Sequence, residues 1–374
     1  MLNPAAPLRV APGTRGSNGR SSTGSARSKM SPSAGDSRNR GSVGCILALT
    51  EPHDEPAFPP EILLAADFRR AFGADLRLRR SAERGQLHRI GWGRYCRAAT
   101  WAALNRDQRY ALVVRAAALA RAEQLPLSHH SAAVLWQLPL LVPWPTDVHF
   151  LQARASGGRS DPGIRKHAVG FDEADVVVRD GVLVTSVART VIDLATVVDL
   201  RSAVAAADRA LAWDRSGRVP PLTDRQTLLD TWHRMVPFRG SVRARTVIDF
   251  ATPLSGSPGE SGSRVSIALA GFPEPELQHP FVINGRTVFS DFFFPREQGV
   301  GESDGRVKYF DPVMRDGRTA EQVVYDEKVR EDMIRLQVRG FVRWDHATGM
   351  SVPRLTDRLA NLGLIPGHPR LFDR

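Results

Sequence analysis

Residues 276–294 read ELQHPFVI, then Asn284-Gly285, then RTVFSDFFF. Asn-Gly between two β-prone runs is the strongest short hairpin signal, because both central residues of the favoured turn need positive φ. A turn centred there sets Ile283 opposite Arg286 and Gln278 opposite Asp291. It also leaves an aspartate inside an aromatic run. A third strand is expected over 299–304. With its turn centred on Arg296 and Glu297, Glu302 faces Asp291, and Asp304 shares the face of Glu302. Like charges opposed in a sheet destabilise it, and a carboxylate buried without a partner is costly. A divalent cation would remove the repulsion, and oxygen donors of this kind suit Mg²⁺. Asp291, Glu302 and Asp304 are therefore candidate metal ligands. The plainer reading of Glu302 and Asp304 is a strand end running into the turn Asp304-Gly305.

The flanking pattern extends this unit. Ser257, Pro258 and Glu260 signal a helix start, with Val265, Ala268, Leu269 and Phe272 on one apolar face. Glu260 is then either the capping partner of Ser257 or an acid of the site. An amphipathic helix is expected over 319–340, stopped by Gly340, and a strand over 341–344. The order is helix, three antiparallel strands, helix, strand.

A chain of 374 residues is expected to hold two or three domains. It carries 51 Lys and Arg against 40 Asp and Glu, a net charge of +11, which favours polyanionic partners, nucleic acid first. Much of the excess sits in the first 44 residues, where Arg9, Arg15, Arg20, Arg27, Lys29, Arg38 and Arg40 meet only Asp36. Residues 1–57 are rich in Ser, Gly, Arg and Pro and are expected to be disordered. They read either as a basic arm on DNA or as a plain extension. Two cysteines, Cys45 and Cys96, are too few for a disulfide framework and fit a reducing compartment. No apolar stretch is long enough to span a bilayer, so no membrane partner and a cytoplasmic location are expected.

Order is expected from residue 58. A helix over 59–73, a second over 75–85 and a small hairpin around Gly91-Trp92-Gly93 describe a winged helix-turn-helix over 58–100. Arg77, Arg79, Arg80 and Arg84 lie on the second helix, where a recognition helix would be, and Arg89 and Arg94 on the wing. They are candidate nucleic-acid contacts or a solvated helix face. A mostly helical α/β region over 101–250 holds expected helices at 106–125, 128–139 (with Ser128 as N-cap) and 185–211, and a strand at 146–153. His129 and His130 are adjacent rather than at i and i+4, and read as structural or surface residues. Residues 214–224 read as a linker, and 351–374 as a C-terminal extension.

The motifs carry two resemblances. Residues 251–350 resemble the restriction-endonuclease-like PD-(D/E)xK superfamily, in its branch allied to very-short-patch-repair endonucleases. The matching residues are Glu260, Ser261 and Arg264; Gly271, Pro273, Pro275 and Gln278; Asp291-Phe292; Glu302, Asp304, Gly305, Lys308 and Tyr309; Glu327, Lys328, Arg330 and Glu331; and Val342-Arg343. The resemblance implies an α-βββ-α-β core and Mg²⁺-dependent phosphodiester hydrolysis, with Glu260, Asp291, Glu302, Asp304 and Lys308 as catalytic residues. The superfamily's Glu-x-Lys reads Glu302-Ser303-Asp304 here, so Lys308 would supply the cation from further along. RGQLHRIGWGRY, 84–95, is similar to the winged-helix domain of abortive-infection antitoxins of the AbiEi type. That similarity implies a DNA-binding regulator or antitoxin and a toxin or antitoxin partner. The fold expected for the whole is α+β and multidomain.

Overall fold

The computed structural model describes residues 62–154, 160–213, 217, 219–283, 285–304 and 319–371. The tail 1–57, Gly305, Lys308 and Tyr309 lie outside the described residues. The described chain is mixed α and β.

It opens with β1 (Leu63–Leu64), α1 (Ala65–Phe72), α2 (Leu76–Glu83), β2 (Leu87–Gly91) and β3 (Arg94–Arg97). The helix expected over 59–73 begins only at Ala65, because Leu63 and Leu64 pair in a strand with Tyr95 and Arg94. That pairing places Leu63 in a small core with Leu78, Leu87 and Tyr95. Gly73 ends α1 in the left-handed conformation, at φ 71°, as a helix-terminating glycine should. The expected hairpin is present, with a bulge between Arg89 and Gly91.

The middle region runs α3 (Ala98–Ala103), α4 (Arg106–Leu119), α5 (His129–Leu135), β4 (Val148–Leu151), β5 (Ile164–His167), β6 (Val176–Arg179), β7 (Val182–Thr185), α6 (Val187–Val197), α7 (Leu200–Leu211), α8 (Arg225–Met235) and α9 (Ser241–Phe250). Two of its strand pairs are parallel β4–β5 and antiparallel β6–β7. Three expectations are corrected. The helix over 106–125 stops at Leu119, ahead of Pro126, and Leu127 bridges instead to Phe150 and Val184. The helix over 128–139 ends at Leu135, and Ser128 makes no side-chain cap. The helix over 185–211 is two helices, because the Asp199 carboxylate accepts the Ser202 N–H and starts a new one.

The last third runs α10 (Pro258–Leu269), β8 (Glu276–Ile283), β9 (Arg286–Phe294), β10 (Gly299–Ser303), α11 (Ala320–Arg335), β11 (Gly340–Trp344), α12 (His346–Gly349) and α13 (Val352–Ala360). Its sheet order is β11-β10-β9-β8, with β8, β9 and β10 antiparallel and β11 parallel to β10. Gly340 begins β11 rather than ending the preceding helix. The expected registers are present, Ile283 against Arg286 and Gly301 against Phe292. Phe292 and Phe294 pack on one face with Ile267 and Phe272, while Phe293 and Val300 pack on the other with Ile334. Residues 351–371 are more than an appendage. Leu355, Leu359, Leu362 and Leu364 complete the first of these cores.

The largest core crosses the expected boundary at 250. It joins Val191 of α6, Val204 and Ala207 of α7, Val247 of α9, and Val265 and Ala268 of α10.

Candidate active site and basic surface

The β9–β10 ladder is paired through Gly301 and Phe292. One step further in the same register, Glu302 stands across from Asp291, on the face that carries Phe293 and Val300. Both carboxylates are buried, Asp291 at 7% exposure and Glu302 at 3%. Glu260, in the first turn of α10, is buried too, at 3%. Glu260 and Asp291 line one cavity of about 840 Å³, together with Gln278, Arg330, Ser261 and Asp208.

Each acid is held. The Ser257 hydroxyl donates to Glu260 Oε1 at 2.8 Å, and the Gly256 N–H to Oε2 at 2.7 Å. Glu260 thus ties down the start of α10 and also lines the cavity. The Gln278 amide donates to Glu260 Oε2 at 3.3 Å from a backbone at φ 49°, in the left-handed region. The Ser303 N–H donates to Asp291 Oδ2 at 2.9 Å. Arg330 of α11 forks onto Glu302, Nη2 to Oε2 at 2.7 Å and Nη1 to Oε1 at 3.2 Å. Asp304 accepts from Arg343 Nε at 2.8 Å, and Arg343 also binds Glu331. Burial opposes the Arg343 charge, but hydrogen bonds to Glu331 and Asp304 outweigh it and hold its pKa above the usual value. Asp304 is not among the cavity's lining residues. The sheet thus sets Asp291 across from Glu302, the cavity joins Asp291 to Glu260, and Asp304 is on a separate arginine. Lys308 lies outside the described residues.

The Glu-Ser-x-x-Arg motif gains a partner that the sequence did not reveal. Arg264 Nη1 and the Ser261 hydroxyl each donate to Asp208 Oδ2 at 2.7 Å, and the Thr252 N–H donates to Asp208 Oδ1 at 2.7 Å. Asp208 comes from α7, 56 positions before Arg264. This buried ion pair joins the middle region to the cleft wall.

On the N-terminal unit, Arg77, Arg79, Arg80, Arg84 and Arg89 are exposed. Arg79 lies 3.5 Å from Asp75, and Arg89 sits over the Trp92 ring at 5.2 Å. Trp92, at the hairpin tip, is 83% exposed. Arg94 is half-buried, and burial pushes its pKa down. A groove of about 310 Å³ between α2 and the hairpin is lined by Arg69, Arg79, Arg89 and Trp92.

Sequence reasoning missed a third cluster. His129, His149 and His167 each bring a ring nitrogen within 4.8 Å of the other two. Among the described residues this is the group of three or more that meets that spacing, and no trio of the carboxylates above does. The one usable signal was His149 inside the apolar strand VHFL, a polar ring that burial obliges to find a partner.

No known protein-family profile matches the chain, and no curated protein matches it either. Among the described residues no helix is long and apolar enough to cross a membrane.

Proposed function

We propose that this chain binds nucleic acid, double-stranded DNA foremost, and that its C-terminal unit hydrolyses phosphodiester bonds with Mg²⁺ in the manner of a restriction-endonuclease-like enzyme. One observation supports this above the rest. Asp291 and Glu302 occupy facing, buried positions of adjacent strands, and Asp291 shares the wall of one cavity with Glu260. Mg²⁺ takes one or two protein carboxylates and completes its shell with water and substrate phosphate, so a facing pair of acids, one of them on the cavity wall, suits it without a three-carboxylate cage. Asp291 and Glu302 would hold the ion, with Asp304 at the strand end. Bound there, it would neutralise charge on the scissile phosphate and activate a water. Glu260, fixed by Gly256 and Ser257, offers an anchored acceptor that orients water. Arg330 forks onto Glu302 and lines the cleft, where its guanidinium suits a phosphate oxygen. Lys308 would add a cation. Arg77, Arg79, Arg80, Arg84, Arg89 and Arg94 would hold the duplex by phosphate contacts, which position without specifying sequence.

The test incubates the protein with plasmid and single-stranded DNA in Mg²⁺, Mn²⁺ or EDTA, beside Asp291→Asn. Metal-dependent cleavage that Asp291→Asn abolishes, with duplex affinity by fluorescence anisotropy unchanged, is expected. Absence of cleavage in every metal would remove the hydrolase. A second reading, a DNA-binding regulator or antitoxin with a catalytically silent last unit, is favoured by the Arg330–Glu302 and Arg343–Asp304 pairs, which already neutralise two of the acids. It requires binding that weakens steeply with salt and no cleavage.

A further inference from the structure

The histidine cluster is separate from the carboxylate cleft and has no part in the proposed hydrolysis. His129 is the first residue of α5, His149 the second of β4 and His167 the last of β5. Parallel pairing sets Leu151 against His167, so His149 and His167 lie on one face, two positions apart along the strands. Their nitrogens, His149 Nδ1 and His167 Nε2, are 3.0 Å apart. The ring of His129 stacks on His167 at 3.7 Å between centroids. Two imidazoles on one Zn²⁺, at Zn–N of about 2.0–2.1 Å and tetrahedral angles, hold their nitrogens roughly 3.3–3.4 Å apart. The His149–His167 pair needs adjustment by only a few tenths of an ångström, and a ring nitrogen of His129 lies within 4.8 Å of both.

Three further observations point to a missing ligand. Asp193 is 4% exposed, yet among the described residues its Oδ2 has no hydrogen-bond partner. That oxygen lies 3.9 Å from His129 Nδ1, while Oδ1 is taken by Arg189. His130 Nδ1 is buried and likewise without a partner among the described residues, its ring 4.7 Å from that of His149. Third, His129 has φ 49°, a left-handed backbone that a histidine adopts at a cost. Such outliers concentrate at functional sites, where the surroundings over-determine them. A ligating histidine usually engages a second acceptor through its other ring nitrogen, and Ser128 Oγ lies 3.0 Å from His129 Nδ1.

We propose that His129, His149 and His167 bind one divalent transition-metal ion of the Zn²⁺ type, with Asp193 as the outer carboxylate that orients His129. Neutral nitrogen donors suit Zn²⁺ and its neighbours in the first transition row and do not suit Mg²⁺ or Ca²⁺. Three protein ligands leave a fourth position for water, as in catalytic rather than structural zinc sites. His129 and Asp193 line a cavity of about 750 Å³ whose walls also hold Arg154, Arg189, Arg234 and Arg239. The cluster thus adjoins this cavity through His129, beside a wall that includes cationic side chains.

The test uses the full chain, stripped with chelator and titrated with Zn²⁺ or Co²⁺. The expected result is one tightly bound ion per chain, a tetrahedral Co²⁺ absorption spectrum, an X-ray absorption signature of three imidazoles, and a raised unfolding temperature. His149→Ala and His167→Ala lose the ion, whereas His368→Ala, at an exposed position, keeps it. The spectra on the unmutated protein keep the proposal falsifiable should a variant fail to fold. Retention of no metal, a Co²⁺ spectrum of octahedral oxygen donors, or stoichiometric binding that survives both histidine changes would each overturn it.

Discussion

The acids around Asp291 and the histidines around His149 are both buried polar clusters, and they are stabilised in opposite ways. The acids are each met by a fixed donor. Glu302 is forked by Arg330, Asp304 is held by Arg343, and Glu260 is tied to Gly256 and Ser257. The histidines shed their charge instead, and their neighbourhood tolerates two polar atoms with no hydrogen-bond partner among the described residues. A buried charge needs its counter-ion during folding, whereas a neutral ring can meet its partner later.

This contrast can be broken, most severely at Arg330. Arg330→Ala removes the fork on a carboxylate that is 3% exposed and should cost about 3–5 kcal/mol in a urea titration. Arg330→Lys should lose less, and added Mg²⁺ should recover part of the loss if the carboxylates can share a cation. A cost below about 1 kcal/mol would mean that Glu302 does not depend on its fork. The histidines should behave differently. Leucine at both 149 and 167 removes both members of a neutral pair, so without metal the double variant should lose less than about 2 kcal/mol by the same measurement. A larger loss would make the cluster a structural network.

The exposed arginines supply a third regime, where charge is solvated and unfolding energy is insensitive to it. Arg79→Ala and Arg80→Ala should leave the melting temperature nearly unchanged. Each should flatten the slope of log affinity for duplex against log salt by about one. An unchanged slope would return those arginines to a plain solvated face. The smallest effect is expected at Glu331. Burial raises its pKa, but the hydrogen bonds from Arg335 and Arg343 outweigh this and leave it lowered. Its folded-state value lies below the unfolded one, so its contribution is present above about pH 4.3 and fades as pH falls through the lowered value. Thermal unfolding between pH 5 and 3 should show a shallow decline that Glu331→Gln reduces.

The acids were legible and the histidines were not, because their partners lie at different sequence distances. Asp291 and Glu302 sit on consecutive strands, so an Asn-Gly turn and the alternation of faces were enough to pair them. His129, His149 and His167 meet through a parallel strand pair and a helix end, with β5 a four-residue strand, IRKH, that has no apolar alternation. Arg330 was visible as part of a motif, but nothing in the spacing linked it to Glu302, 28 residues away. The long helix over 185–211 was misread for a local reason. Its composition is helical throughout, and only the Asp199 side chain, competing for a backbone N–H, divides it.

The shared core of α6, α7, α9 and α10 has a consequence for how this chain can be dissected. A cut at residue 250, where sequence patterns suggest a seam, would strip Val265 and Ala268 of their packing and strand the Arg264 guanidinium away from Asp208. The C-terminal piece would leave that operation with a raw apolar flank and an ionic group out of place. The two regions should therefore unfold as one cooperative unit, and recombination would have to pass them on as one cassette.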